Sequence, residues 1–437
     1  MNISGALRFV FRHFLVLLVL ILVAAVLMNT SPFDEELLPI LQARENREVH
    51  LDPDTNAFTV LFGIDAAAGK SASAVGMQII GELKAKAAAG DPIHLSNERM
   101  AAIKGIVPDQ PDWQEPYAAI HCNPRLEIDC AARLVDEVRK QPPDGEEVME
   151  QLDRYRSLVQ MSQFSEMIEG DFSTNLPAYQ DALQLGRLFV AQAYAKGDPV
   201  DFLDALSDDM AFWRMMLRDG STLIAKMVAN AGIRTDLQFI SHAIAEGAIN
   251  DGTQFDALLI PLSPDVTDIG ESFWAEQDVV FVEIDKLDSG LKALITQPNA
   301  TKNAYYRRHT EPLLLLAKMD PVHFSQQAPR VPGSDYRLGS LSPNPYNIGG
   351  RLVISMFAGS YYDYIGRIHD LDGLIGLVRL YARASVSDSP ESMLSRQTEV
   401  VDPFSGRPVA FDAQARLLGF QCYQGYRNKD RCEIKIR

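Results

Sequence analysis

From Phe14 to Met28 the chain carries no polar side chain. Phe9, Val10 and Phe11 precede this run, and Arg12 and His13 interrupt it. The whole apolar stretch reaches about 20 residues, the length a helix rising 1.5 Å per residue needs to cross a 30 Å hydrocarbon core. Backbone polar groups must be satisfied internally in lipid, so the pattern predicts a transmembrane helix. Arg8 and Arg12 lie before it, and Asp34, Glu35 and Glu36 after it. The positive-inside bias then puts residues 1–13 in the cytoplasm and the rest of the chain outside. A cleaved signal peptide is the rival reading. The exit through Val26, Leu27, Met28 and Asn29 offers no small-x-small site, which favours an uncleaved anchor over 14–28. No other stretch has this character, so the expectation is a single-pass protein.

Beyond the anchor, the pattern divides the chain into five parts. Residues 29–145 read as a juxtamembrane and irregular N-terminal part, with prolines at 92, 108, 111, 116 and 124. Within it, Asn56 to Gly63 reads as a short apolar strand or extended run. Ser71 to Ala89 and Ala131 to Lys140 read as helices. Residues 146–250 form a helical-hairpin region after the break Pro142-Pro143-Asp144-Gly145. Its predicted helices are Glu146 to Glu169, Leu176 to Ala195, Val200 to Leu217, Thr222 to Gly232 with Ser221 as N-cap, and Thr235 to Gly247. Residues 251–348 are mixed and loop-rich, with Gln277 to Ile284 read as a strand. Residues 349–401 return to helix, and 402–437 alternate as a β meander (Val409 to Phe411, Leu417 to Tyr423, Cys432 to Ile436). The predicted fold class is therefore mainly α (α+β): an N-terminal transmembrane helix, a helical-hairpin array and a small C-terminal antiparallel β meander.

Charge removes one class of function. The 437 residues hold 41 basic and 58 acidic side chains, a net charge of −17, with no local basic patch to offset it. Nucleic acid is not an expected partner. Hydrophobic residues at 47% exclude a disordered chain. The four cysteines fall into two close pairs, Cys122 with Cys130 and Cys422 with Cys432. Even, short-range pairing suits disulfides in an oxidising compartment. The spacings are too wide for the usual zinc pattern, and free buried thiols are the other alternative.

Few residues offer chemistry. Gly63 to Ser71 resembles a phosphate-binding loop, with Lys70 and Ser71 in the lysine and serine places. Five residues separate its glycines where that loop has four, so a glycine-capped helix start is the plainer reading. His369, Asp370 and Asp372 cluster, yet lack the further ligands of a calcium loop. On a helix, His369 and Asp372 would form a local hydrogen bond. Gly339 to Ser342 lacks the closing glycine of a nucleophile elbow. Phe212, Trp213 and Met216 form either helix-packing core or a groove for a partner helix. Asn303 to His309 mixes aromatic and basic groups, as a solvated helix face or a contact for an anionic ligand or lipid headgroups. No cofactor or metal site is predicted.

Several segments together resemble a group of Gram-negative bacterial single-pass envelope proteins with a mainly helical periplasmic body. These segments are Asn56-Ala57-Phe58, Leu61 to Asp65, the pair Cys122 and Cys130, Phe212-Trp213-Arg214, Asn344-Pro345-Tyr346-Asn347, His369 to Asp372, and Asp402 to Pro408. The resemblance implies a location in the inner membrane, the N-terminus cytoplasmic and the body periplasmic, and carries no activity. The expected function is an interaction or scaffold module of the cell envelope, not an enzyme, whose partners are the bilayer through Phe14 to Met28 and an envelope protein. The alternatives are an envelope hydrolase with an unassigned site and, more remotely, a nucleotide-binding protein using a degenerate phosphate loop.

Overall fold

The computed structural model describes residues 11–20, 23, 27, 34–45, 55–106, 114, 116–168, 173–249, 251–287, 295–328, 346–356, 361–384, 400–423 and 430–436. The chain divides into two compact units. The larger is His50–Ala275 with Leu315–Arg330 and Tyr361–Arg437; the smaller is Met1–Val49 with Glu276–Leu314 and Val331–Ser360.

The larger unit is helical. It contains α1 (Ala57–Gly63), α2 (Ala72–Ala89), α3 (Asn97–Lys104), α4 (Cys130–Lys140), α5 (Glu146–Val159), α6 (Tyr179–Ala195), α7 (Pro199–Asp219), α8 (Leu223–Glu246), α9 (Pro321–Gln327) and α10 (Tyr362–Arg383). Short polar side chains begin many of them. Asn56 accepts from Phe58 N–H, Ser71 from Ala74, Ser96 from Arg99, Asp198 from Val200 and Thr222 from Ala225. Helices α6, α7 and α8 bury large apolar faces against one another, and α5 and α10 pack on them. The core between them includes Tyr155, Leu188, Phe212, Trp213 and Phe239. The chain ends in a three-stranded antiparallel sheet, order β1 (Ala410–Asp412), β2 (Leu417–Phe420), β3 (Cys432–Lys435). Its register pairs Phe411 with Leu418 and Phe420 with Cys432. Both cysteine pairs are disulfides, with Cα atoms 5.5 Å apart at Cys122–Cys130 and 5.3 Å at Cys422–Cys432.

In the smaller unit, the helix Pro298–Tyr305 runs on into a π-helical turn, Tyr306–Thr310. Asp34 caps its start, accepting from Asn299 and Ala300 N–H at 2.9 Å each. Asn303 reaches the same N-terminal segment, accepting from Leu38 N–H at 3.0 Å and donating to Glu36 O at 2.9 Å. Asn347 receives Gln297 N–H at 3.0 Å and Gly350 N–H at 3.2 Å, and so joins Pro298–Tyr305 to the helix Ile348–Met356. Arg44 pairs with Asp278, and Lys302 with Asp285.

Five expectations change, the first being the helix predicted over Glu146 to Glu169, which is α5 and ends at Val159. The apolar runs at Asn56 to Gly63 and Gln277 to Ile284 are helices, α1 and part of Gly270–Asp285, rather than strands. A continuous apolar run does not distinguish a buried helix from a buried strand; α1 is buried on every side. Thr222 to Gly247 is one helix, capped by Thr222 and not by Ser221. The helical region after 349 is two helices, Ile348–Met356 and α10. At the N-terminus, residues 11–20 are helical, and at 1.5 Å per residue ten residues cover about half of a 30 Å core. Among the described residues no helix is long and apolar enough to cross a membrane. Six of the residues between 21 and 28, like Gly339 to Ser342, lie outside the described residues.

Candidate functional site

Two centres of buried charge stand out in the larger unit. The first joins α5, α6, α7 and α8. Asp209 and Trp213 are one helical turn apart on α7, and Trp213 Nε1 donates to Asp209 Oδ2 at 3.1 Å. The Tyr155 hydroxyl of α5 donates to the other oxygen, Oδ1. Asp236 of α8 completes the centre, fully buried at 0% exposure. With both carboxyls ionised, neither Asp236 oxygen has a donor. Burial, and then the charge of Asp209, push Asp236 well above the usual carboxylate range. Burial also raises Asp209, opposed by the hydrogen bonds from Asp236, Tyr155 and Trp213. Glycines make room for the pair. A Cβ at Gly186 would lie 2.4 Å from the Tyr155 hydroxyl, and one at Gly232 would lie 2.3 Å from the Trp213 ring.

The second centre is where α8, α10 and the C-terminal sheet meet. Asp370 is 1% exposed and accepts Tyr423 N–H at 2.9 Å. Burial raises it to about 7, against the opposing charge of Arg234. Arg234 is 3% exposed, donates to Asn230 Oδ1 at 3.1 Å, and lies 4.0 Å from Cys432 Sγ. Burial lowers it to about 10, which leaves it cationic at neutral pH. Asn230 in turn donates to Arg367 O at 3.0 Å. The loops closed by the two disulfides meet here: Arg431 N–H donates to Arg125 O at 2.8 Å, and Arg125 pairs with Asp430.

The residues singled out from the sequence are placed as follows. Lys70 donates to Ile103 O at 2.9 Å, and Gly69 N–H to the Glu150 carboxylate at 2.7 Å. Arg154 holds the carbonyls of Ile64, Ala66 and Ala67. Ser71 caps α2. This segment is a helix start tied down by its own protein, and a glutamate occupies the amide that an anion would use. His369, Asp370 and Asp372 share α10 but no common site. His369 packs against Phe324 and Phe404, with burial lowering it to about 4. Asp372 accepts Leu262 N–H at 2.7 Å in place of the predicted bond to His369. Phe212, Trp213 and Met216 are each 1% exposed or less, so they are core and not a partner groove. Cys122, Glu127 and Cys130 bring three ligand atoms within 4.8 Å, as do Asp370, Cys422 and Cys432. Sulfurs joined as disulfides do not serve as thiolate ligands.

Sequence reasoning missed Tyr155, Asp209, Arg234 and Asp236. A signal was present: Asp236 falls among Ile233, Leu237 and Ile240, on the face of a helix that must be buried. An acid at such a position needs a partner, and Asp209 beside Trp213 supplies it.

The chain was compared with protein-family models, with curated proteins and with solved structures, and none of them matches.

Proposed function

We propose that the chain is a membrane-anchored protein of the bacterial cell envelope, N-terminus cytoplasmic and body periplasmic, and that the body is an interaction module which holds an envelope partner protein. The observation that carries this reading is the helix at 11–20. Phe11, Phe14, Leu15, Val16, Leu17, Leu18, Val19 and Leu20 are all exposed, and the sequence continues without a polar side chain to Met28. An apolar helix of this kind is favourable in lipid and costly in water. Two disulfides fit an oxidising compartment.

The smaller unit adds support. In the helix Ile348–Met356, Ile354 is fully buried, while Ile348, Leu352 and Met356 are 42%, 42% and 69% exposed. Spaced at i, i+4 and i+8, they form one apolar stripe. We assign the stripe to the bilayer surface, because it belongs to the unit that contains the anchor and the exposed Arg307 and Arg308. Short apolar faces with nearby cations suit the headgroup boundary.

The test begins with the full chain in its native membrane. It should stay bound through alkaline carbonate, and in spheroplasts all four cysteines should react with an impermeant thiol reagent only after reduction. Release by carbonate, or labelling only after the membrane is opened, overturns the reading. In proteoliposomes, a fluorophore on Leu352→Cys should be quenched by a lipid-borne quencher. Quenching from the aqueous phase alone removes the stripe from the bilayer.

A further inference from the structure

We propose that Cys422–Cys432 is a reversible thiol–disulfide exchange site opened by a dithiol reductant, while Cys122–Cys130 is a permanent staple. The two bonds differ in the charges beside them. Cys432 Sγ lies 4.0 Å from the guanidinium of Arg234, a cation buried too deeply for solvent to screen. An adjacent cation stabilises a thiolate and makes it a better leaving group. A carboxyl oxygen of Asp370 lies within 4.8 Å of both sulfurs and can hand over or take up a proton. At the other bond the neighbouring ionisable group is Glu127, also within 4.8 Å, whose negative charge opposes a thiolate. Its cation, Arg133, pairs with it at 2.9 Å at the exposed surface, where water screens the charge.

The fold supplies a route of access. Both sulfurs of Cys422–Cys432 are buried, so exchange needs β3 to lift. That strand is four residues long and lies at an edge of the sheet, paired on one side with β2. Besides that pairing, the strand packs on α8 and α10, and the adjoining Asp430 and Arg431 hold its start to Arg125 and Arg234.

One sulfur of the reductant attacks Cys422 Sγ; the disulfide breaks and Cys432 leaves as a thiolate beside Arg234. The reductant's second thiolate attacks its own sulfur in the mixed disulfide, and Cys422 departs, taking a proton from the carboxylic acid of Asp370. Two electrons pass from the dithiol to the protein, and the reductant becomes a disulfide. Of its two protons, one restores Asp370 and the other goes to solvent.

The experiment is an equilibrium titration of the full chain in reduced and oxidised dithiothreitol, with each pair counted by alkylation and peptide mass spectrometry. Cys422–Cys432 should open at a reductant ratio at least tenfold lower than Cys122–Cys130, a gap of about 30 mV for a two-electron couple. Arg234→Met should close most of that gap, and Arg234→Lys should keep it. The wild-type order is decisive on its own if Arg234→Met does not fold. Simultaneous opening, or earlier opening of Cys122–Cys130, overturns the proposal. A gap that survives in a folded Arg234→Met chain does so equally.

Discussion

His369 and Asp370 are neighbours on α10, and burial moves them in opposite senses. Folding lowers His369 from 6.5 to about 4, so the folded state disfavours its proton. The stability associated with this histidine is present above 6.5 and is lost as pH falls toward 4. Folding raises Asp370 from 3.8 to about 7, so the folded state favours its proton. That contribution is complete below 3.8 and is lost as pH rises toward 7. Between about 4 and 6.5 the two slopes, each near 1.4 kcal/mol per pH unit, oppose one another. Denaturant unfolding of the single variants separates them. The stability of the native chain relative to His369→Phe should rise with pH through that window, and relative to Asp370→Asn it should fall. A flat difference for either variant refutes its half of the account. Asp236 follows the Asp370 pattern, so the native chain should lose ground against Asp236→Asn as pH climbs above 3.8. Sequence reasoning reached Asp370 only because it stood beside a histidine. It had no means of separating Asp370 from Asp372, two acids on one helix whose roles depend on which neighbour each one faces.

At the scale of elements, the start of α8 is held by a residue far from it in sequence. The Glu166 carboxylate accepts from Ser221 N–H and Thr222 N–H at 2.8 and 2.7 Å, and from both hydroxyls at 2.7 Å. These groups lie at a helix N-terminus, where negative charge is favoured. Glu166→Ala should cost about 1–3 kcal/mol and should speed hydrogen exchange at the amides of residues 223–226 more than elsewhere in α8. Uniform acceleration along the helix would show a global effect and not a lost latch. Gly232 lies in the middle of the same helix, where sequence reasoning broke the element in two. Glycine there does not end the helix; it admits the Trp213 ring. Gly232→Ala should therefore destabilise the chain by about 1–3 kcal/mol, against the gain of about 1 kcal/mol that the same change brings at an open helical site. A thermal midpoint above the native one would contradict the contact. Elements with a clear 3.6-residue period, such as α7, were legible, and α5 was found but ends at Val159, ten residues before the predicted end at Glu169. Runs without polar punctuation, such as α1, were not, because burial on every side erases the period.

For the whole molecule, order along the chain and order in space part company. Neighbouring apolar and polar blocks divided the sequence into consecutive segments, and the mainly helical class and the terminal sheet were readable that way. The smaller unit was not, because it collects three stretches separated by more than two hundred residues at its widest gap. The larger unit is likewise closed late: its C-terminal sheet lies on α8 and α10, and the loop at 123–127 meets Arg431. Trimming the chain after residue 400 should expose the Asp370 and Arg234 centre and raise the susceptibility of α10 to limited proteolysis. Unchanged cleavage kinetics would show that the sheet is an appendage.

The bonds from Asp34 to Asn299 and Ala300 also set a schedule for biosynthesis. At 5–20 residues per second, roughly 13–50 s separate the synthesis of these partners. Throughout that interval the N-terminal segment has left the ribosome and its docking helix does not yet exist. The segment around Asp34 is thus made long before the helix that completes it, and stays unfinished until that helix arrives.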